Sequence, residues 1–219
     1  MMERLDIVIC GVGGQGSVLA AHTLARATMG KGLPVRTSEV IGMAQREGPV
    51  TGHVRLGTGI HGPIIPDGRA DFLLGLELAE AVRGLAKLRP GGTALVSRTA
   101  IVPVTVRLGL STYDQQALTS YLTRAIAARG GRLYLLDTTD LARAAGNIKT
   151  ANAALLGAFA ALPGLPFTPG ELLASLLTML PEKLHAVNQR AFQAGYEQMQ
   201  PALNGSARPA PAPDLSITA

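Results

Sequence analysis

The fold of this chain is decided by residues 5–16, which read Leu5-Asp6-Ile7-Val8-Ile9-Cys10-Gly11-Val12-Gly13-Gly14-Gln15-Gly16. The apolar run that ends at Cys10 predicts a buried parallel strand, because strands covered on both faces carry almost continuous apolar side chains. The glycines that follow have the spacing G-x-G-x-x-G, between this strand and a helical pattern. In that context they permit a tight turn, a close approach of the backbone and close packing of helix on strand. The stretch predicts a Rossmann-like α/β domain.

Strand-like and helix-like patterns alternate over the first two thirds of the chain. Besides the first strand, the sequence predicts strands over residues 33–37, 50–56, 71–76, 93–97 and 133–136. It predicts helices over residues 14–29, 77–88 and 115–129. Elements of these lengths in alternation favour right-handed βαβ units and a mostly parallel sheet flanked by helices. The glycines and proline of residues 57–63 predict a hairpin directly after the strand over residues 50–56.

The strand signals stop after Thr138, and the chain beyond that point is predicted to be helical. Helices are predicted over residues 150–162, 169–180 and 181–200. From Pro201 the chain is rich in Pro, Ala, Gly and Ser and poor in large apolar residues, which favours disorder. We therefore expect one domain over residues 1–200, with a helical extension from about residue 150, and a disordered tail over residues 201–219.

Composition and charge restrict the class of protein. The single cysteine, Cys10, excludes an internal disulfide and favours a reducing compartment. No secretory signal pattern and no apolar run long enough to span a membrane is visible, so we expect a cytoplasmic protein without membrane contact. The 20 lysines and arginines give a net charge of +5, but they are scattered along the sequence. We expect no nucleic-acid binding, and a basic surface that suits an acidic protein partner.

The glycine loop has two interpretations. It can offer helix amide groups to an anion or a cofactor, or it can serve only the packing of strand and helix. The residues concerned are Gly11, Gly13, Gly14, Gln15 and Gly16. A dinucleotide site also needs an acidic residue about 20 positions later, at the end of the second strand. The first carboxylate in that region is Glu39, so the sequence gives NAD little support.

Residue sets for other common chemistries are missing from the sequence. One cysteine cannot supply the four thiolates of an iron–sulfur cluster. The histidines show no metal-ligand spacing, so we expect no metal site; they are His22, His53, His61 and His185. A Gly-x-Ser-x-Gly nucleophile motif and the Gly-Asp-Gly and Asn-Asn pair of thiamine diphosphate enzymes are both missing. We therefore expect this chain to bind no redox cofactor alone.

Several short motifs, taken in chain order, resemble one family. Residues 11–16 resemble the opening of the gamma-type domain of 2-oxoacid:ferredoxin oxidoreductases, and residues 42–48 resemble the second loop of that domain. Residues 54–57 and 64–66 continue the series, and residues 70–77 and 87–92 are similar to the beta subunit of indolepyruvate ferredoxin oxidoreductase. Further similar positions are Glu80-Ala81, Asn152, Leu156-Gly157, Asn188, Ala191-Phe192 and Gly195. The resemblance covers roughly residues 4–200.

This resemblance implies a subunit of an enzyme complex that is inactive alone. In the family, arylpyruvates such as indolepyruvate are oxidatively decarboxylated to an acyl-CoA, and the electrons pass to ferredoxin. A large partner subunit carries thiamine diphosphate, Mg²⁺ and iron–sulfur clusters, and coenzyme A accepts the acyl group. The isolated chain is then expected to expose an apolar patch, or to self-associate as a homodimer that covers it.

The second loop carries the residues that this resemblance makes most important. It implies that Gln45 and Arg46 face the substrate or a cofactor of the partner subunit. Glu47 stands where the family often has glycine, which adds a negative charge and removes a residue tolerant of positive φ. No catalytic residue is assigned within this chain.

Two other functions remain compatible with the residues alone. A free-standing oxidoreductase would bind NAD(P) or another nucleotide at the glycine loop, with Arg36 against a 2′-phosphate. A regulatory module would bind an anion at residues 13–16 and need no partner subunit.

Overall fold

The computed structural model describes residues 4–42, 48–102, 106, 108–110 and 112–204. Its sheet has six strands, β1 Arg4–Val12, β2 Val35–Ile41, β3 Pro49–Gly57, β4 Ala70–Gly75, β5 Leu88–Ser97 and β6 Arg132–Leu136. Seven α-helices lie in those residues, α1 Ser17–Gly30, α2 Leu78–Gly84, α3 Gln115–Ala127, α4 Thr138–Ala145, α5 Ala151–Ala160, α6 Pro169–Leu177 and α7 His185–Leu203. The alternation of strands and helices confirms the predicted α/β class.

The six strands form one sheet in the order β2-β3-β1-β4-β5-β6. β1, β4, β5 and β6 run parallel to one another, whereas β3 is antiparallel to both of its neighbours, β1 and β2. The predicted mostly parallel sheet is confirmed, with β3 as the exception. The hairpin predicted after β3 is wrong. β3 instead forms an antiparallel pair with the strand before it, β2. After Gly57 the chain crosses to β4, which pairs with β1 and not with β3.

The burial of β4 gives the physical reason for this correction. Its neighbouring residues Leu73 and Leu74 point to opposite faces of the sheet, and both are fully buried. A strand that buries both faces suits the centre of a sheet, whereas a hairpin partner of β3 at an edge would expose one of them.

Helices cover both faces of the sheet, and alternate side chains of β1 enter two apolar clusters. Ile7 and Ile9 pack in the cluster that α1, α5, α6 and α7 cover. Val8 and Cys10 pack in the cluster that α2 and α3 cover. Burial raises the pKa of the Cys10 thiol to about 12, which fits a small core residue rather than a reactive thiol.

The C-terminal helices belong to the same core. A Cβ added to Gly157 of α5 would lie 1.9 Å from the carbonyl oxygen of Phe192 in α7. A Cβ added to Gly195 of α7 would lie 1.9 Å from the carbonyl oxygen of Ala154 in α5. The backbones of the two helices are therefore in contact where they cross, and only glycine permits this approach.

The helical region departs from the sequence predictions at two points. α4 is an additional helix, which begins at a cap supplied by the Asp137 carboxylate and ends at Gly146, whose φ is 108°. α7 continues to Leu203, past the expected start of the tail at Pro201, because the buried Met199 holds its last turns on the core. Within the described ranges, no helix is both long and apolar enough to cross a lipid bilayer.

We predict that Gly157→Ala destabilises the fold by at least about 2 kcal/mol, because the added methyl group would collide with the backbone of α7. The matched control is Gly170→Ala in the first turn of α6, where an added Cβ meets nothing within 4 Å. That change should leave stability unchanged or raise it by up to about 1 kcal/mol. Urea denaturation measures both variants, and equal midpoints would contradict the close crossing of α5 and α7.

Candidate functional site

The candidate site lies at the carboxyl edge of the sheet, where the parallel strands end. β1 and β4 are neighbours, yet β1 leads into α1 on one face and β4 leads into α2 on the other face. Such a reversal opens a crevice between the two strands, and ligands of open α/β sheets bind at this position. The glycine loop follows β1 and residues 76–77 follow β4, so both border the crevice.

The side chain of Gln15 fills this crevice. Its Oε1 accepts a hydrogen bond from the backbone N–H of Val12 at 2.9 Å, and its Nε2 donates to the carbonyl oxygen of Leu76 at 3.0 Å. A Cβ added to Gly11 would lie 2.9 Å from Gln15 Oε1, so the glycine makes room for the amide. Gln15 therefore joins the ends of β1 and β4.

The rest of the glycine loop is held by its neighbours in the fold. The N–H of Gly13 donates to the carbonyl oxygen of Gly48 at 2.9 Å. Gly14 and Gly16 have φ values of +92° and +83°, which glycine adopts without strain. A Cβ added to Gly16 would lie 2.4 Å from Nδ2 of Asn152 at the start of α5. The loop lies between Gly48 and α5, and Gly16 is the glycine whose missing Cβ permits the contact with α5.

Only the ends of the second loop are described. Gly42 donates its N–H to the carbonyl oxygen of Pro49 at 2.8 Å, and Gly48 contacts the glycine loop. The structure therefore places the described end of the second loop, Gly48, against the glycine loop. Gln45, Arg46 and Glu47 lie outside the described residues, so their expected role stays a prediction.

Glu77 ends the 70–77 stretch that carries part of the family resemblance, but sequence reasoning missed its role at this site. Its carboxylate is buried, with 1% of the residue exposed, and it caps α2 by accepting from the N–H of Glu80 at 2.8 Å. The same carboxylate accepts from the N–H of Ile101 at 3.3 Å and from the hydroxyl of Tyr113. Glu77 thus ties the connection between β5 and α3 to the end of β4. Glutamate is not among the preferred N-cap residues, so the usual capping signal gave no indication of this role.

Titratable groups beside Glu77 are shifted towards their neutral forms. Burial, together with the hydrogen bond to Glu77, raises the pKa of the Tyr113 phenol. Burial also raises the pKa of Glu80, although its ion pair with Arg83 opposes the shift. A protonated phenol is the form that donates to Glu77. The raised pKa of Tyr113 therefore favours the hydrogen bond that holds the connection after β5.

Four hydroxyl groups connect the ends of β5 and β6. Ser97 Oγ lies 2.6 Å from Thr138 Oγ1 and 2.7 Å from Thr99 Oγ1, and Thr99 Oγ1 lies 2.6 Å from Thr139 Oγ1. A hydroxyl donates one hydrogen and accepts others, so the four can satisfy one another in sequence. This network fixes the start of α4 beside the connection that Glu77 anchors.

The histidines do not gather at this edge. His53 is buried in β3, where its Nδ1 accepts from the N–H of Ile65 at 3.3 Å and burial lowers its pKa. His22 lies 3.3 Å from Glu39, and His185 contacts the carbonyl oxygen of Leu180. In the described ranges, no group of three or more His, Cys, Asp or Glu side chains is placed to hold a metal ion.

Large apolar side chains are exposed along the carboxyl edge. They lie at the start of α1, at the end of β2 and in the connection after β5. Leu108 and Leu110 are the most exposed, at 68% and 75%. Among the described residues, the exposed large apolar side chains of these three segments are Val18, Val40, Ile41, Val102, Leu108 and Leu110. Exposed apolar residues that share one side of a protein are typical of an interaction surface.

We predict that Glu77→Ala loosens the connection between β5 and α3 and lowers stability by roughly 2 kcal/mol or more, because it removes a helix cap and leaves buried donors unpaired. Tyr113→Phe removes one of these bonds and should cost about 1 kcal/mol. Amide hydrogen exchange measures the loosening residue by residue. Exchange should become faster at the Ile101 amide at milder conditions than in α5. Unchanged exchange at Ile101 in Glu77→Ala would contradict the anchoring role.

Known proteins match this chain over almost its whole length. The family model for pyruvate ferredoxin/flavodoxin oxidoreductase matches residues 6–198. Indolepyruvate oxidoreductase subunit IorB of Thermococcus kodakarensis is 39% identical over 89% of this chain and 95% of that protein. The IorB subunit of Pyrococcus horikoshii is 36% identical over 93% and 100%. The pyruvate/ketoisovalerate oxidoreductases common subunit gamma of T. kodakarensis is 27% identical over 74% and 79%.

A solved structure agrees with these matches. The gamma subunit of the keto/oxoacid ferredoxin oxidoreductase from Geobacter sulfurreducens PCA superimposes with a TM-score of 0.64 and is 25% identical. The superposition covers 90% of this chain and 98% of that subunit. Sequence and fold agree over nearly the whole of both chains, and this chain belongs to the pyruvate ferredoxin/flavodoxin oxidoreductase family.

Proposed function

We propose that this chain is the small subunit of a cytoplasmic, ferredoxin-dependent oxidoreductase that converts an arylpyruvate such as indolepyruvate to its acyl-CoA. The observation that carries this proposal is the end-to-end similarity to IorB subunits. Within one organism, T. kodakarensis, identity is 39% to the indolepyruvate subunit and 27% to the pyruvate/ketoisovalerate subunit. This difference favours an aryl 2-oxoacid over a short aliphatic one.

The cofactors of the reaction are assigned to a large partner subunit. Thiamine diphosphate with Mg²⁺ supplies the carbanion chemistry of decarboxylation, and iron–sulfur clusters carry the electrons to ferredoxin. The donor set of this chain does not suit a cluster, because its one cysteine is buried in the core and its thiol pKa is raised. The chain's own task is then to complete and shield a site whose reacting groups the partner holds.

The carboxyl edge is the surface that we assign to the large subunit. It carries the exposed apolar side chains, among them Leu108 and Leu110. Glu77 and the hydroxyl network hold the backbone of this edge in place from beneath. An apolar surface on a rigid support can bury area against a partner at little cost in conformational entropy.

The glycine loop is assigned to contact with the partner or its substrate rather than to a dinucleotide. Gln15 occupies the crevice where a dinucleotide would lie, and the N–H of Gly13 is already bonded to Gly48. The first-turn amides of α1 are the part of the loop suited to an anionic group, because they form the positive end of the helix dipole. The arrangement gives no support to a free-standing NAD(P) enzyme.

We predict that the full chain, tagged and co-expressed with the large subunit, retains that subunit through purification and supports indolepyruvate-dependent reduction of ferredoxin. The double variant Leu108→Glu, Leu110→Glu should retain roughly tenfold less of it, because charges in the core of an interface are strongly unfavourable. Met29→Glu is the matched control, since Met29 is equally exposed but ends α1 at the opposite edge. Turnover by the chain without any partner would contradict the proposed function.

Arg46 is the second-loop residue that we expect to contact the substrate or the partner's cofactor. Arg46→Ala should leave the fold and the assembly intact but lower kcat/KM for the oxoacid roughly tenfold or more, as expected for a lost hydrogen bond to a charged group. Arg98→Ala provides the control, because Arg98 is an exposed arginine that follows β5 at the same edge. Full activity of Arg46→Ala in the reconstituted complex would contradict contact between this residue and the substrate or the partner's cofactor.

A further inference from the structure

The opposite, amino edge of the sheet collects arginines that are far apart in the sequence. Five strands begin at this edge, and each has an arginine within its first two residues or directly before its first residue. The antiparallel β3 ends at this edge and contributes an arginine from its last residues. The set is Arg4, Arg36, Arg55, Arg69, Arg89 and Arg132. Basic residues that are scattered along the sequence therefore share one side of the folded molecule.

A cavity of about 580 Å³ lies at the middle of this edge. Three of the arginines line it, together with Asp71: Arg4 is the first residue of β1, Arg69 directly precedes β4 and Arg89 lies in β5. Gly59 and Gly68 form part of the wall, and a Cβ at either would meet nothing within 4 Å. The mouth of the cavity is therefore open to a molecule that approaches the guanidinium groups.

A buried ion pair supports this cavity from below. Asp6 is fully buried and accepts from Arg55 Nε at 2.9 Å and from Arg55 Nη2 at 3.2 Å. The remaining N–H groups of Arg55 Nη1 point to carbonyl oxygens of residues 62 and 64. Arg55 is thereby satisfied within the protein, and its role is to fix Asp6.

The two carboxylates then position the arginines of the cavity wall. Asp6 Oδ2 lies 3.2 Å from Arg4 Nε, and the N–H of Asp6 donates to Asp71 Oδ2 at 2.8 Å. The other oxygen of Asp71 accepts from Arg89 Nε at 2.7 Å. Arg4 and Arg89 each contact their carboxylate through Nε. The terminal Nη groups of Arg4 therefore remain available for another acceptor. Pre-positioned guanidinium groups lose little entropy when they bind an anion.

Among the described residues, the positive charges of this network outnumber the negative charges. Four guanidinium groups, including that of Arg69, face the two carboxylates of Asp6 and Asp71. In the part of the chain that the structure describes, the side chain of Arg69 forms no ion pair or hydrogen bond. Excess positive charge in a concave site focuses the electrostatic field and attracts anions.

We propose that this cavity binds a diphosphate group, either as inorganic pyrophosphate or as part of a nucleotide. Guanidinium groups engage phosphate oxygens through paired N–H donors, and several arginines in one site match an anion with more than one phosphate. The wall contains no aromatic residue on which a base could stack, so the anion is the unit that is recognised. The cavity lies at the edge opposite the candidate site, and this proposal is independent of the proposed function.

Isothermal titration calorimetry on the full chain at low ionic strength tests this proposal, with inorganic pyrophosphate as the probe. We expect saturable binding that weakens at least roughly tenfold in Arg69→Gln and in Arg4→Gln, because each change removes a charged hydrogen-bond donor. Arg98→Gln is the matched control and should bind as the parent does, since it removes the same charge at the opposite edge.

Two further probes sharpen the result. Tighter binding of ADP than of pyrophosphate would assign the diphosphate to a nucleotide, and binding of pyrophosphate alone would assign it to the free anion; either outcome supports the site. Citrate that binds as tightly as pyrophosphate would overturn recognition of phosphate. An Arg98→Gln effect as large as that of Arg69→Gln, or no saturable binding up to about 10 mM (a free energy near −3 kcal/mol), would overturn the site itself.

Discussion

The hydrogen bonds of the Gln15 side chain hold together the point on which the rest of the structure depends. β1 and β4 are the two strands between which the chain reverses its winding, so no crossover helix closes the gap at their carboxyl ends. Gln15 closes it by pairing the N–H of Val12 with one end of its amide and the carbonyl of Leu76 with the other. Without the amide, both backbone groups would lose their partners in a largely buried place, which costs free energy. Glycine is required at position 11 for the same reason, because a Cβ there would contact the Gln15 amide.

The two edges of the sheet follow from the same winding but have opposite chemistry. At the carboxyl edge, connections such as the one after β5 expose apolar side chains over a backbone that Glu77 anchors. At the amino edge, arginines surround the buried pair of Asp6 and Arg55. The sheet separates such groups because every strand except β3 begins at the amino edge and ends at the carboxyl edge, and the antiparallel β3 brings Arg55 to the amino edge with its last residues. The arginines of the amino edge therefore lie away from the exposed Leu108 and Leu110, so their charge is not desolvated when that apolar surface is buried.

Sequence reasoning succeeded where local chemistry determines structure. The strand and glycine spacing of residues 5–16 predicted β1 and a helix after the loop, because apolar continuity and glycine placement are local properties. The predicted start at residue 14 was three residues early, since Gly14 and Gly16 have positive φ and α1 begins at Ser17. It failed for the hairpin, since the pairing of β2 with β3 depends on which strand lies beside β1, and that is a long-range outcome. Glu77 was missed for a similar reason. Its partners Ile101 and Tyr113 are 24 and 36 residues away, and no local pattern indicates them.

The helical region after residue 150 is part of the main core of the folded protein. Its sequence reads as an extension, because the strand signals have ended, but α5 lies in the main apolar cluster beneath the sheet. Asn152 at its start packs on Gly16, and Gly157 contacts the backbone of α7. Displacement of α5 would therefore uncover the core and release the glycine loop together. The glycine loop thus has its support in α5 and the connection after β5 has a separate one in Glu77, so both segments of the carboxyl edge are held in place by the subunit itself.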